Sequence, residues 1–349
     1  MKTKLLIFSL LITLINIVAC TSNVDDTLIP AKLGDKWGYI DKNGKWIINP
    51  QFKYCCYFSN GLAIIWSDTE DGTKYGYINQ NGEIVINPQF DCAADFAEND
   101  LAAVEIDYEW GYIDKSGTFI IEPHFFTASH FSNGLAAVVV EKHDDFGYID
   151  KTGNWVISPQ FRGASSFQDN GLAVVAVGDD YGDWVVGIID KTGKFVVNPQ
   201  FSDAVLLIRE WSQGLICAEI NGKRGYIDET GHFAINPQFD WGSDFAENGL
   251  APIELNNKRG YIDKTGKIVI NPQFDWAEGF STNGLAAVKL NNKWGVIDES
   301  GKYIINPQYD EIKIIKNVLF VKQDGKWGIV DRQGNWIANP QFDDVRYDD

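Results

Sequence analysis

The chain has 349 residues, a formal net charge of −18, 33 glycines, 12 tryptophans and a single methionine. Hydrophobic residues make up 45% and aromatic residues 13%, which excludes a disordered chain. The acidic balance argues against nucleic acid as a partner, because phosphate binding needs a basic face to displace counterions.

Lys2 and Lys4 precede an apolar run from Leu5 to Ile15. That run is short for a bilayer span but has the length of a signal-peptide core. It ends in Ile17-Val18-Ala19-Cys20, and a small residue before cysteine at this place resembles the lipobox of bacterial lipoproteins. The resemblance implies cleavage after residue 19 and a lipid on Cys20. Ile17 and Val18 depart from the leucine and small residue that the lipobox favours. Residues 1–19 then form the signal peptide and residues 20–27 a polar tether, with the array beginning at 28. Loss of two lysines and no acid takes the charge from −18 to −20. Anionic headgroups repel such a body, so the lipid and not the protein surface is expected to hold it to the membrane. Thr21, and not Asp, follows the cysteine, which points to the outer membrane.

From residue 28 one unit is copied nine times. Its first glycines are Gly38, Gly76, Gly111, Gly147, Gly187, Gly225, Gly260, Gly295 and Gly328. A second glycine follows six residues later, from Gly44 to Gly334, and a proline twelve residues after the first, from Pro50 to Pro340. A fixed period in the thirties identifies a solenoid, propeller or similar array.

The eighth unit shows the pattern. Ala287–Leu290 reads as a strand, Asn291-Asn292 as a two-residue hairpin turn and Lys293–Asp298 as a second strand. Asp298-Glu299-Ser300-Gly301 reads as a second turn, with the glycine supplying positive φ. Lys302–Asn306 is the third strand, which Pro307 is expected to end. The unit is thus a three-stranded β-meander. In the return segment before it, Phe274, Ala277 and Phe280 fit either a short helical turn or a short fourth strand.

The recurring Trp-Gly with Tyr-Ile-Asp and Asn-Pro-Gln-Phe resembles the WG repeats of bacterial proteins. The resemblance covers residues 28–349 and implies an exported, all-β tandem-repeat protein. The tryptophan itself is not constant: the residue before the first glycine is Trp37, Tyr75, Trp110, Phe146, Val186, Arg224, Arg259, Trp294 and Trp327. Two architectures satisfy the repeat. An open superhelical solenoid of stacked hairpins, like choline-binding repeats, is favoured over a closed β-propeller. Nine units are many for a ring, Pro30 suits an exposed edge, and the charged tail from Asp343 to Asp349 blunts the other end.

Chemistry-bearing constellations are few. His124, His130, His143 and His232 lie at no metal-binding spacing, and the acids are repeated turn residues without the carboxylate cluster of a calcium loop. No nucleophile elbow, P-loop or dinucleotide fingerprint occurs. Neither catalysis nor a cofactor or metal is therefore expected. Cys55, Cys56, Cys92 and Cys217 contain no C-x-x-C pair; Cys55 and Cys92 share a phase, so a bridge between units and buried free thiols both remain open. Trp46, Phe119, Trp155, Phe195, Phe233, Tyr303 and Trp336 share one phase, eight residues after the first glycine. Exposed, they would make a ladder for sugar rings; buried, they would be the core between units. The expected function is a lipid-anchored surface for a protein partner, with cell-wall or polysaccharide binding through these aromatics as the alternative.

Overall fold

The computed structural model describes residues 28–70, 72–142, 145–178, 184–201 and 211–346. Residues 1–27, with the expected signal peptide, Cys20 and the tether, lie outside the described residues, as does His143. Two compact units are built on Gln51–Phe195 and on Ile29–Pro50 with Val196–Tyr347.

Each repeat forms an antiparallel sheet. The eighth consists of Trp276–Ala277, Leu285–Leu290, Lys293–Asp298 and Tyr303–Tyr309, in that order. Asn291 and Asn292 both take positive φ, 51° and 62°, as the hairpin turn requires. Asp298 Oδ1 accepts from the Ser300 and Lys302 amides at 3.0 and 3.1 Å, and Gly301 sits at φ 83°. The turn aspartates therefore have a complete structural role, and side-chain hydrogen bonds hold Asp298, Asp263 and Asp228 below the usual carboxylate pKa.

Two expectations about the unit need correction. The unit has four strands, not three. Of the two forms open to its return segment, it takes the short strand and not the helical turn: Trp276 pairs with Lys289 and Ala277 with Val288. Pro307 does not end the third meander strand, which continues to Tyr309. The register shifts between the pairs Trp294–Tyr309 and Val296–Ile305, so Asn306, Pro307 and Gln308 bulge opposite Gly295. A bulged edge position needs no ladder N–H, which is why proline fits there. The bulge also explains the twelve-residue spacing of glycine and proline. A Cβ on Gly295 would lie 2.6 Å from the Ile305 carbonyl oxygen and 2.8 Å from Pro307 N. Gly38, Gly76, Gly111, Gly225 and Gly260 meet the same backbone equally closely.

Neighbouring repeats within each unit are tied by recurring contacts. Tyr112 Oη donates to the Ser129 carbonyl at 2.8 Å in the first unit, and Tyr261 Oη to the Glu278 carbonyl at 2.6 Å in the second. The Phe280 ring stands 4.7 Å from that of Tyr261. Each return-segment phenylalanine thus completes the core of the repeat before it, and these cores run between sheets.

The open solenoid is also overturned. The first sheet has the order Trp46–Phe52, Lys36–Ile40, Ile29–Leu33, Asp344–Val345, so the last strand of the chain completes the first sheet. Ala31 pairs with Val345 and Lys32 with Asp344. The Asp343 amide donates to the Lys32 carbonyl at 2.9 Å, and Asp343 Oδ2 accepts from the Gly34 amide at 2.8 Å. Asp275 makes the same two bonds, to Lys289 and Asn291. The closing join therefore repeats the pattern of an internal one. Pro30 is buried rather than at a free edge, because its carbonyl accepts from the Arg346 amide at 3.2 Å and needs no N–H to do so. Within the tail, Asp344–Val345 is a paired strand and not a cap. Eight of the nine sheets show four strands. The sixth shows three among the described residues, which leave out 202–210 just before it. Four-stranded sheets in chain order, joined last to first, make the fold a nine-bladed β-propeller.

Candidate functional site: an arginine held between two tryptophans

The row of residues just before the first glycines is where the repeats differ most. Cross-strand pairing places each beside one residue of the second strand and one of the short first strand. In the seventh sheet the row reads Trp241, Glu254, Arg259. The Arg259 guanidinium carbon lies 3.9 Å from the centre of the Trp241 ring and 3.4 Å from that of Trp276 in the next sheet. It is a cation clamped between two π faces. Arg259 Nε donates to Glu254 Oε2 at 3.3 Å and its Nη1 to the Ala277 carbonyl at 3.4 Å. Only 5% of the residue is exposed. A guanidinium survives that burial because its charge is paired and its flat faces are covered.

Trp276 is held at a second point: its indole Nε1 donates to Glu278 Oε1 at 2.6 Å. The residue is still 42% exposed. Beside it, Lys258 Nζ meets Asp275 Oδ1 at 2.5 Å. Glu278 also lines a small cavity of about 200 Å³ with Gly279, Phe280, Ser281, Ala287 and Ile314. Sequence reading passed over this constellation. The available signal was tryptophan at the start of two successive return segments, Trp241 and Trp276, flanking the repeat in which arginine replaces the Trp-Gly tryptophan.

The seven aromatics of the other phase are placed differently. Trp46 packs edge-on against Phe342 at 5.7 Å, Phe119 against Phe90 at 6.2 Å and Phe195 against Phe161 at 6.3 Å. Phe233 meets Phe201 and Tyr303 meets Phe274, both at 6.4 Å, and Trp336 meets Tyr309 at 6.2 Å. Trp155 lies over Gly147. Each ring has one edge wedged into the structure and part of its surface in solvent. The structure does not gather them into one cluster.

The described cysteines carry free thiols. Burial, with Glu105 and Asp91 nearby, pushes the Cys92 thiol up to about 11, which keeps it protonated. Burial lowers the pKa of His130. His124 Nδ1 lies 2.6 Å from the Glu122 carbonyl, and His232 Nδ1 lies 2.7 Å from Thr230 Oγ1. Among the described residues no three His, Cys, Asp or Glu side chains converge as a metal would require.

The family model described as "WG containing repeat" matches residues 37–65, 75–109, 110–142, 146–181, 187–223, 225–258, 260–294, 294–327 and 327–348. The chain belongs to the WG-repeat family. No curated protein matches it. Among solved structures, a eukaryotic initiation factor aligns over 92% of this chain and 97% of its own, at 12% identity and a TM-score of 0.64. That likeness supports the propeller fold and nothing beyond it. Saccharomyces cerevisiae Sqt1 aligns over 90% of this chain and 95% of its own, at 10% identity and a TM-score of 0.36. Within the WG repeat, the glycine is the steric requirement and the tryptophan a replaceable neighbour. Arg224 and Arg259 take its place where Glu219 and Glu254 stand opposite.

Proposed function

We propose that this WG-repeat propeller is a non-enzymatic scaffold that binds a protein partner in the cell envelope, exported and anchored in the outer membrane through a lipid on Cys20. A repeat propeller suggests an interaction role, since identical sheets present identical surfaces many times. The observation that carries the reading is on the outer strands. Ile47, Val85, Ile120, Val156, Val196, Val269 and Ile337 occupy one position of seven repeats, and each is 43–50% exposed. All are β-branched residues on the strand that ends its sheet. The proline bulge one turn of the pleat further on blocks indiscriminate pairing along that edge, which favours side-chain docking over strand addition.

Capture from solubilised envelopes tests this. The full chain should retain a defined protein, and the triple variant Val85→Thr, Ile120→Thr, Val156→Thr should lose it while melting like the parent. Equal capture by both chains, or none by either, refutes the surface. The anchor is tested separately: Cys20→Ala should abolish acyl labelling and release the chain from membranes, and unchanged membrane association would refute the lipid.

A further inference from the structure

We propose that the open face of Trp276 is a stacking platform for a neutral pyranose of an oligosaccharide, with Glu278 accepting hydrogen bonds from the sugar hydroxyls. The inference is independent of the protein-docking surface above, since it uses a different strand and different residues.

Four observations carry it. Trp276 leaves 42% of its surface in solvent. The Arg259 guanidinium, 3.4 Å from the ring centre, occupies one face, and the proposal places the sugar on the other. The ring cannot turn freely, because Arg259 is itself held by Trp241 and Glu254, and Glu278 Oε1 fixes the indole N–H. A ligand therefore meets a surface whose ordering entropy has already been lost on folding. Lastly, the surroundings are polar rather than apolar: Glu278 at the ring edge, Asp275 and Lys258 beside it, and exposed Gly279 next along the chain.

The chemistry of the ligand follows. A protein anchor pocket surrounds its aromatic residue with apolar neighbours, whereas the groups placed next to Trp276 are Arg259, Glu278 and its strand partner Lys289. A cationic ligand would seek the negative π face, but that quadrupole is already engaged by the guanidinium behind the ring. What remains attractive is an apolar, uncharged face bordered by hydroxyl-binding groups. The flank of a pyranose has C–H groups for the indole and equatorial hydroxyls for a carboxylate. Oε1 of Glu278 is used by the indole, and Oε2 is the oxygen a sugar hydroxyl would reach. The cavity of about 200 Å³ that Glu278 lines offers room for one further substituent.

The test is calorimetric titration of the full chain, held in a detergent without a sugar headgroup, with chitotetraose and with cellotetraose. At least one should bind. Trp276→Ala should weaken that binding at least tenfold, Trp276→Tyr should stay within about threefold, and Tyr108→Asn, at an exposed ring on a turn of the third sheet, should not change it. Far-ultraviolet circular dichroism spectra of all variants should match the parent at 25 °C; Trp276→Ala uncovers one face of the Arg259 guanidinium, so its melting temperature falls while the fold is kept. Absence of binding to both sugars overturns the proposal, as does sugar binding that survives Trp276→Ala. Binding of tetramethylammonium with the same dependence on Trp276, in place of sugar, overturns it and assigns the ring to cations. Loss of a captured envelope protein on Trp276→Ala, with neither sugar bound, overturns it in favour of protein docking.

Discussion

The two compact units solve one packing problem in two ways. In the row before the first glycines, the unit built on Gln51–Phe195 uses uncharged side chains. Tyr54, Trp66 and Tyr75 stack across the second sheet, with ring centres 3.6 and 5.3 Å apart. Phe146 and Val186 follow in the fourth and fifth sheets, and Glu105 beside Trp110 is the row's one charge. The other unit fills the same row with charges and tryptophans. Arg224 meets Glu219, Arg259 meets Glu254, Lys289 lies over Trp294, and Lys313 and Lys322 lie over Trp327. The backbone is the same in both, including the glycine–proline bulge. The slot accepts whatever its cross-strand neighbour complements, so variation there is free to carry recognition.

The largest expected effect tests the shared backbone. Gly260→Ala in one unit and Gly111→Ala in the other should each lose about 3 kcal/mol in denaturant unfolding, because the new methyl meets backbone that cannot move aside. A harmless substitution in either unit would break the equivalence. Next comes the closing strand. Removing residues 343–349 takes away buried Val345 and the Asp343 bonds, worth about 2–3 kcal/mol for the side chain alone. Hydrogen exchange should rise in residues 29–40 and stay unchanged in 84–125.

The charged row gives a difference of sign. Glu254→Gln leaves the Arg259 guanidinium buried without its counter-charge and should destabilise by about 1–3 kcal/mol in thermal or chemical melts. Glu105→Gln should be neutral or slightly stabilising at pH 7. Burial, followed by the Asp91 charge, raises the Glu105 pKa, so its ionised form is the disfavoured one. The pH dependence divides accordingly. Glu105 favours the fold below its ordinary 4.5, and that contribution fades as pH rises through its raised folded value. Asp298 and Asp263 act oppositely: their contribution is complete above the ordinary 3.8 and disappears as pH falls through their lowered folded values. Stability curves of the parent and Glu105→Gln should diverge as pH rises above about 4.5 and converge below it.

Much of the unit was legible in sequence because its signals are local. Asn291-Asn292 and Gly301 announce their turns through φ preferences that a single dipeptide reveals. Pro307 was misread because a missing N–H shows only that no ladder bond forms, and a bulge satisfies that as well as a strand end. The short first strand stayed undecided against a helical turn because two residues, Trp276 and Ala277, carry no periodicity. Closure was harder, since Gly34 and Asp343 meet across 309 positions. Yet an offset was visible. Leu28 opens the first meander without the Phe-Asp segment that precedes several later meanders, and Phe342-Asp343 repeats that segment after the ninth. That surplus and that deficit are the same segment. The Trp276 constellation was not legible at all, because it depends on which faces of two successive sheets come together.

The placement of that last strand makes the numbering of the nine repeats arbitrary in a physical sense. Residues 31 and 345 are partners in one ladder, so a peptide linker could unite the ends and a cut at Asn256-Asn257 could supply new ones. Such a circular permutant should reach the same native state, with its order of assembly changed and its destination not.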